Sequence, residues 1–101
     1  MSEPLFCMNL IIPPMLEEQV LDLLLIAPET SAFTSMPVFG HGASPAGLST
    51  AEQVLGRTRQ SQIQIILSQR DADAIIARLR QQLSGAGIFF WLNAVTEKGV
   101  I

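Results

Sequence analysis

One apolar run near the start of the chain constrains the fold more than any other feature. Residues Leu5–Ile12 are apolar apart from Asn9, and prolines flank the run at positions 4 and 13. Both alternating faces of this segment are therefore apolar, which is typical of a strand that is buried on both sides. Because proline suits the first turn of a helix, a helix should follow Pro13 directly. The sequence predicts a central strand that leads into a helix.

Two stretches have the spacing of amphipathic helices. Apolar residues recur at helical intervals over 15–26, Glu17 and Glu18 stand in the first turn where the helix dipole favours acids, and Pro28 follows the end. A second apolar stripe runs over 71–83 and stops at a Ser-Gly-Ala-Gly sequence, which is typical of a helix C-terminus. We therefore expect two helices.

Three further stretches alternate in the manner of β-strands, over 31–39, 57–68 and 88–95. Pro37 lies in the first of them and cannot donate to a strand ladder, so this strand is expected at a sheet edge. The glutamines of the 57–68 stretch form a polar face, which we interpret as partial exposure near the start of the strand.

The order of these elements is strand, helix, strand, a long connection, then strand, helix, strand. It predicts one domain over residues 1–101, of the α+β class, with the ferredoxin-like βαββαβ arrangement. In that arrangement a four-stranded antiparallel sheet carries both helices on one face, and the first and third strands are central.

The connection over 40–56 is unusually long for so small a domain, and such connections are commonly functional or disordered. It is rich in small and polar residues and contains the only histidine. The sequence Ser49-Thr50-Ala51-Glu52 fits a helix capping box, which predicts one helical turn through Val54 or Leu55.

The amount of apolar surface predicts self-association. The chain is 49% hydrophobic, which is rich for 101 residues. The last strand places Phe90 and Leu92 on one face and Phe89 and Trp91 on the other, although helices can cover only one face of the sheet. A large apolar patch left on the second face usually indicates association, so we expect a homo-oligomer that packs sheet face to sheet face.

Composition excludes several classes of function. Nine acidic against six basic residues give a net charge of −3, and Lys98 is the only lysine, so the basic surface needed for nucleic-acid binding is lacking. The apolar stretches are too short to span a bilayer and no signal-peptide pattern is present, so we expect no membrane insertion and a cytoplasmic protein. A single cysteine, Cys7, excludes an intrachain disulfide and a CxxC motif.

No catalytic set is recognisable in the sequence. The single histidine and the single cysteine are distant in sequence, and there is no nucleophile elbow, HExxH motif or P-loop. We therefore expect a protein that is not an enzyme. An enzyme of ferredoxin-like fold stays an alternative.

Several motifs resemble the PII-like superfamily, which includes the nitrogen regulatory protein PII and CutA-like proteins. They are Val38-Phe39-Gly40 at the start of the long connection and Ile63-Gln64-Ile65-Ile66 in the third strand. A more specific resemblance is to a small proteobacterial PII-like family of unknown function that is associated with heavy-metal efflux systems. It is carried by Gly40-His41-Gly42, Glu52-Gln53-Val54-Leu55-Gly56-Arg57 and Phe90-Trp91.

This resemblance implies a homotrimer with a ligand cleft between subunits. It also implies that the connection is the counterpart of the PII T-loop, which reaches out from the trimer to touch a partner protein. Regulation would then act through contacts of residues 40–57.

The chain departs from PII proteins at positions that bind nucleotide. PII proteins have a Gly-rich, lysine-bearing turn that wraps the ATP phosphates, whereas the corresponding Ser84–Ile88 turn has no basic residue. PII proteins have Arg-Gln after the Phe-Gly pair, and the glutamine helps to hold magnesium and 2-oxoglutarate, whereas His41-Gly42 stands here. The chain has no tyrosine, which excludes a tyrosine nucleotidylation switch. The cofactor is therefore undefined, with a metal ion as one candidate.

The candidate site residues lie at the base of the long connection and in the turn after the second helix. His41 would be a metal ligand or a solvated histidine, and Arg57 and Arg59 would hold a phosphate or carboxylate or pair with an acid. The turn glycines would form a backbone anion nest or simply end the helix. The full set of candidates is Gly40, His41, Gly42, Arg57, Arg59, Gly85 and Gly87.

The leading hypothesis is a regulatory or signalling PII-like homotrimer that contacts a partner through residues 40–57, with a link to heavy-metal efflux. The alternative is a CutA-like metal-tolerance protein that binds copper or zinc directly, through His41.

Overall fold

The structure is a computed structural model that describes residues 3–42 and 57–101. It contains a four-stranded antiparallel sheet with strand order β2-β3-β1-β4. The elements in chain order are β1 (Leu5–Ile12), a 3-10 turn (Pro14–Leu16), α1 (Glu17–Ile26), β2 (Phe33–His41), β3 (Arg57–Ser68), α2 (Gln69–Leu83) and β4 (Phe89–Val95). The predicted α+β class and ferredoxin-like βαββαβ order are confirmed, with β1 and β3 central and β2 at an edge.

The core lies between one face of the sheet and the two helices. Alternate residues of the central strands point into it, because side chains of a strand alternate between the two faces. The buried apolar residues are Met8, Leu10 and Ile12 of β1, Ile63, Ile65 and Leu67 of β3, Val20, Leu23 and Leu24 of α1, and Ala72, Ile75, Ile76 and Leu79 of α2. Neither of the helices described in residues 3–42 and 57–101 packs against the opposite face, which we call the uncovered face.

Strand β2 corrects the predicted boundaries at both ends. It spans Phe33–His41 and not 31–39, so Gly40 and His41 belong to the strand and not to the connection. The reason is tertiary pairing, since Gly40 and His41 lie opposite Thr58 and Arg57 of β3. Cross-strand pairing overrides the weak strand preference of glycine. The predicted capping box at 49–52 and the turn after it lie outside the described residues.

The helices and β4 differ from their predicted limits by one to a few residues. Helix α2 begins at Gln69 and not at Asp71, because the Ser68 hydroxyl accepts a hydrogen bond from the Asp71 backbone nitrogen at 3.2 Å and caps the helix. The predicted first helix over 15–26 divides into the 3-10 turn and α1. Strand β4 begins at Phe89, one residue later than expected.

An ion pair joins α2 to the connection between α1 and β2. The guanidinium of Arg78 donates to both carboxylate oxygens of Glu29, at 2.9 and 3.2 Å. These side-chain hydrogen bonds are the largest cause that lowers the pKa of Glu29 from its ordinary value. The pair fixes the position from which the chain enters β2.

Candidate functional site

Strands β2 and β3 continue as a two-stranded ribbon beyond the rest of the sheet. The last residue of β1 that pairs with β3 is Ile12, opposite Ser61. Four further cross-strand pairs follow between β2 and β3, from Val38–Gln60 to His41–Arg57. The ribbon therefore extends beyond the level at which β1 stops pairing with β3.

One face of the ribbon brings together three of the seven predicted site residues, which are His41, Arg57 and Arg59. His41 lies opposite Arg57, and Phe39 lies opposite Arg59, so their side chains alternate onto the same face. The Arg57 guanidinium carbon lies 4.3 Å from the centroid of the Phe39 ring, which is a cation–π contact. The ribbon face thus combines two guanidinium groups, an imidazole and an aromatic ring.

The environment of Arg57 favours a ligand with negative charge. Its Nε is buried and has no hydrogen-bond partner within the described ranges 3–42 and 57–101. A buried donor that makes no hydrogen bond is costly, so a phosphate or carboxylate oxygen at this position would be stabilised. His41 is exposed at the end of the ribbon. These groups can bind an anion, and the imidazole can also act as one ligand of a metal.

Gly40 is closely approached by a side chain within the ribbon. A Cβ atom at this position would overlap the side-chain amide oxygen of Gln60, which lies against the backbone there. Gly42 follows directly at the end of the described ribbon. Gly42 has a φ of 79°, a backbone conformation that favours glycine. Neither glycine offers a side chain to a ligand.

The predicted glycines after the second helix lie elsewhere. Gly85 and Gly87 both have positive φ angles, of 79° and 81°, in the turn between α2 and β4. The first strand pair after this turn joins Phe89 to Ile11, close to the level at which the ribbon begins. Because β4 and β2 are opposite edges of the sheet, the structure places this turn at the same end as the ribbon but separate from the two arginines.

A cleft of about 250 Å³ opens beside the glycine turn. Its wall is mostly apolar, and Arg80 provides the charged side chain that lines it. The Arg80 guanidinium carbon lies 5.9 Å from the centroid of the Phe90 ring. Sequence reasoning missed this neighbour, because Arg80 and Phe90 belong to different elements and nine residues separate them in the chain. The only indication in the sequence was that Arg80 lies about one helical turn before Ser84-Gly85, where the helix ends.

The uncovered face is uncharged over all of its paired positions. Its centre is Asn9, which is 2% exposed and hydrogen-bonded to the side chains of Gln62, Gln64 and Asn93. Around this amide cluster lie exposed apolar side chains, including Phe89 at 63% and Trp91 at 38% exposure. By strand register the face comprises Leu5, Cys7, Asn9 and Ile11 of β1, Thr34, Met36, Val38 and Gly40 of β2, Thr58, Gln60, Gln62, Gln64 and Ile66 of β3, and Phe89, Trp91, Asn93 and Val95 of β4.

The amide cluster changes the interpretation of the polar residues on β3. The sequence predicted partial exposure of this face, and Gln62 and Gln64 are half-buried. They also donate hydrogen bonds to Asn9 at 3.2 and 3.1 Å, which the sequence did not indicate. Asn9, the one polar residue in the apolar run of β1, is the acceptor that holds them. The polar face of β3 is therefore part of a side-chain network.

Two general features concern all of the described residues. None of the helices there combines the length and the apolar character needed to cross a bilayer. Within the same ranges, no three His, Cys, Asp or Glu side chains gather as they would at a metal site.

Solved structures with the same fold define the class of protein. A DUF3240 family protein from Shewanella baltica OS155 aligns with a TM-score of 0.78 at 15% identity, over 100% of this chain and 99% of that chain. CPII from Thiomonas intermedia K12, a nitrogen regulatory PII-like protein, aligns with a TM-score of 0.71 at 14% identity, over 97% of each chain. CutA from Synechococcus elongatus PCC7942 aligns with a TM-score of 0.69 at 13% identity, over 93% of this chain and 79% of that chain. The chain therefore shares the fold of these PII-like and CutA proteins, which the sequence motifs predicted.

The particular family follows from a match over residues 1–101. The chain belongs to DUF3240, which is described as a protein of unknown function. A search of curated protein sequences finds no match.

Proposed function

We propose that this protein is a non-enzymatic regulatory protein of PII type, which acts as a homotrimer and contacts a partner protein through residues 40–57. The observation that carries the proposal is the ribbon, whose four cross-strand pairs extend past the end of β1. A projecting ribbon gives another protein access to its end residues while the sheet stays packed against its helices. The sequence resemblance adds a link to heavy-metal efflux, and we propose the partner to be a component of such a system.

The uncovered face supports the homotrimer. A face without charge that exposes Phe89, Trp91 and Met36 is unfavourable in water, and its burial against other copies would remove that apolar area from solvent. A closed ring of three buries the same face of every copy. The helices then remain outside and the ribbons remain accessible at one end.

The ribbon face supplies the means by which a ligand could act on the contact segment. Arg57 and Arg59 stand directly after residues 43–56, and His41 stands just before them. An anion or a metal ion bound there would link both ends of the segment and favour one arrangement of it over others. Direct copper or zinc binding by His41 stays a prediction. Titration of the wild type and of His41→Ala with each metal tests it, since binding that depends on His41 must be lost in the variant.

Native mass spectrometry of freshly purified protein tests the assembly. We expect three subunits, and the same spectrum reports any retained metal or small anion. A monomer at micromolar concentration overturns the proposal.

Site-directed photocrosslinking in cells tests the partner contact. A photoreactive amino acid in place of His41, at the end of the ribbon, is expected to give adducts with an efflux component that mass spectrometry identifies. The same amino acid in place of Gln82, which is exposed on α2, is the matched control. If the two positions give the same adducts, or if position 41 gives none, the ribbon is not the contact arm.

A further inference from the structure

The amide cluster on the uncovered face has a fixed direction of hydrogen bonding. The Asn9 Nδ2 donates to the backbone oxygen of Cys7 at 3.2 Å. A backbone oxygen can only accept, so this bond distinguishes the nitrogen of the Asn9 side chain from its oxygen. The Asn9 oxygen therefore accepts from the Nε2 atoms of Gln62 and Gln64, and its nitrogen donates to the Asn93 oxygen at 3.0 Å. One backbone atom thus orients all four side-chain amides.

This orientation leaves opposite hydrogen-bonding groups on the two sides of Asn9. Gln62 and Gln64 turn their nitrogens toward Asn9, so their Oε1 oxygens are unused acceptors on β3. Asn93 turns its oxygen toward Asn9, so the two N–H groups of its Nδ2 are unused donors on β4. Within residues 3–42 and 57–101, no hydrogen bond engages these three groups.

The surroundings of the cluster decide what kind of partner can satisfy it. Trp91 lies directly opposite Asn9 in the strand pairing, and apolar side chains such as Phe89 and Met36 occupy the same face. When these side chains are covered, the amides lose water and need protein partners, because a buried polar group without a hydrogen bond is costly. A charged ligand finds no opposite charge on this face. A second copy of the chain brings both the donors and the acceptors that are needed.

We infer that Asn93 of one copy donates to Gln62 and Gln64 of the neighbouring copy and so sets the alignment of the assembly. The inference rests on the homotrimer proposed above, in which rotation places the β4 side of one sheet against the β3 side of the next. The apolar residues supply buried area but accept many alignments. The amides can form their hydrogen bonds in one alignment only. Buried polar residues are known to specify register in this way.

Substitutions at Asn93 separate this role from simple apolar packing. Asn93→Leu removes the donors, adds no charge and increases apolar area, while Asn9 keeps the Cys7 oxygen as an acceptor. Asn93→Asp keeps the oxygen that accepts from Asn9 and removes the donors. Gln82→Glu, on the exposed side of α2, makes the same amide-to-carboxylate change away from the sheet and is the control. Subunit number is measured by native mass spectrometry over a dilution series, and folding by circular dichroism.

We expect both Asn93 variants to raise the dissociation constant of the assembly by about tenfold or more, and the control to leave it unchanged. If the wild type is oligomeric and Asn93→Leu assembles as tightly as the wild type, the amide contact is overturned but the homotrimer is not. A monomeric wild type overturns both. If the variants do not fold, hydrogen exchange of the side-chain amides, measured by NMR in the wild-type oligomer, tests the inference. Slow exchange of the Asn93 N–H groups is expected, and exchange at the rate of an exposed amide overturns the inference.

Discussion

The Arg57 guanidinium packs on the Phe39 ring across the β2–β3 ribbon, 4.3 Å from the ring centroid. Phe39 itself pairs with Arg59, so the contact is a diagonal one between neighbours on the same face. The ring is half exposed, and the buried Nε of Arg57 has no hydrogen-bond partner in the described part of the chain. This pair therefore holds the two strands together where no third strand supports them.

Loss of the ring should weaken the ribbon. We expect Phe39→Leu to lower the free energy of unfolding by about 0.5–1 kcal/mol, the range for an exposed cation–π contact. Chemical denaturation of Phe39→Leu, Arg57→Gln and the double variant measures the coupling. Additive effects of the two substitutions would show that the contact contributes nothing.

The turn between α2 and β4 should depend on glycine at position 85. Its φ of 79° is in the left-handed region, where a Cβ is unfavourable, so we expect Gly85→Ala to cost about 1–2 kcal/mol in the free energy of unfolding. A Cβ there meets no atom within 4 Å, so the cost is one of conformation and not of space. Gly99→Ala, which also meets nothing, is the control. Equal stability of the two variants would contradict this account.

The Glu29–Arg78 pair should make stability depend on pH in the acid range. The hydrogen bonds from Arg78 hold the folded-state pKa of Glu29 below its ordinary value of 4.5. The charged form is therefore favoured by folding, so the contribution is complete above pH 4.5 and is lost as pH falls through the lowered folded-state pKa.

Glu29→Gln tests this linkage. The difference in unfolding free energy between wild type and variant should be present at pH 7, and it should diminish as the solution is acidified. Glu97→Gln, in the exposed segment after β4, makes the same chemical change and should show no such trend. A difference for Glu29→Gln that is independent of pH would rule out the linkage.

Adjacent leucines of α1 should respond very differently to truncation. Leu24 is fully buried in the core, whereas Leu25 is 73% exposed. We expect Leu24→Ala to destabilise the fold by about 2–5 kcal/mol, because it removes buried methyl groups and leaves a cavity. Leu25→Ala should change the unfolding free energy by less than about 0.5 kcal/mol. Thermal and chemical unfolding measure both, and a large loss for Leu25→Ala would show that this side of α1 is covered in the assembled protein.

The sequence predicted the elements whose side chains specify them locally. The apolar run of β1 and the alternation of β3 gave the limits that the structure has, Leu5–Ile12 and Arg57–Ser68. The edge position of β2 followed from Pro37, which a central strand would not accommodate. These features depend on residues close together in sequence, so periodicity is enough to find them.

The features that sequence reasoning missed depend on contacts between distant residues. Gly40 and His41 have little strand preference, and they become part of β2 only because Thr58 and Arg57 lie opposite. The amide cluster joins residues of β1, β3 and β4, and its four members could not be grouped before the strand register was known. Of the candidate site, His41, Arg57 and Arg59 were predicted together at the base of the connection, whereas the contact of Phe39 with Arg57 was not predicted. Gly85 and Gly87 lie in the turn after the second helix, where the sequence placed them.

The ribbon register has a consequence for insertions and deletions. Pairing between β2 and β3 is set by residues on both sides of the 43–56 segment, so a change in the length of that segment leaves every described pair in place. Deletion of Val38 acts differently, because side chains alternate along a strand. It would turn Phe39 to the opposite face from Arg57. Natural variation in length should therefore be tolerated beyond the ribbon and selected against within it.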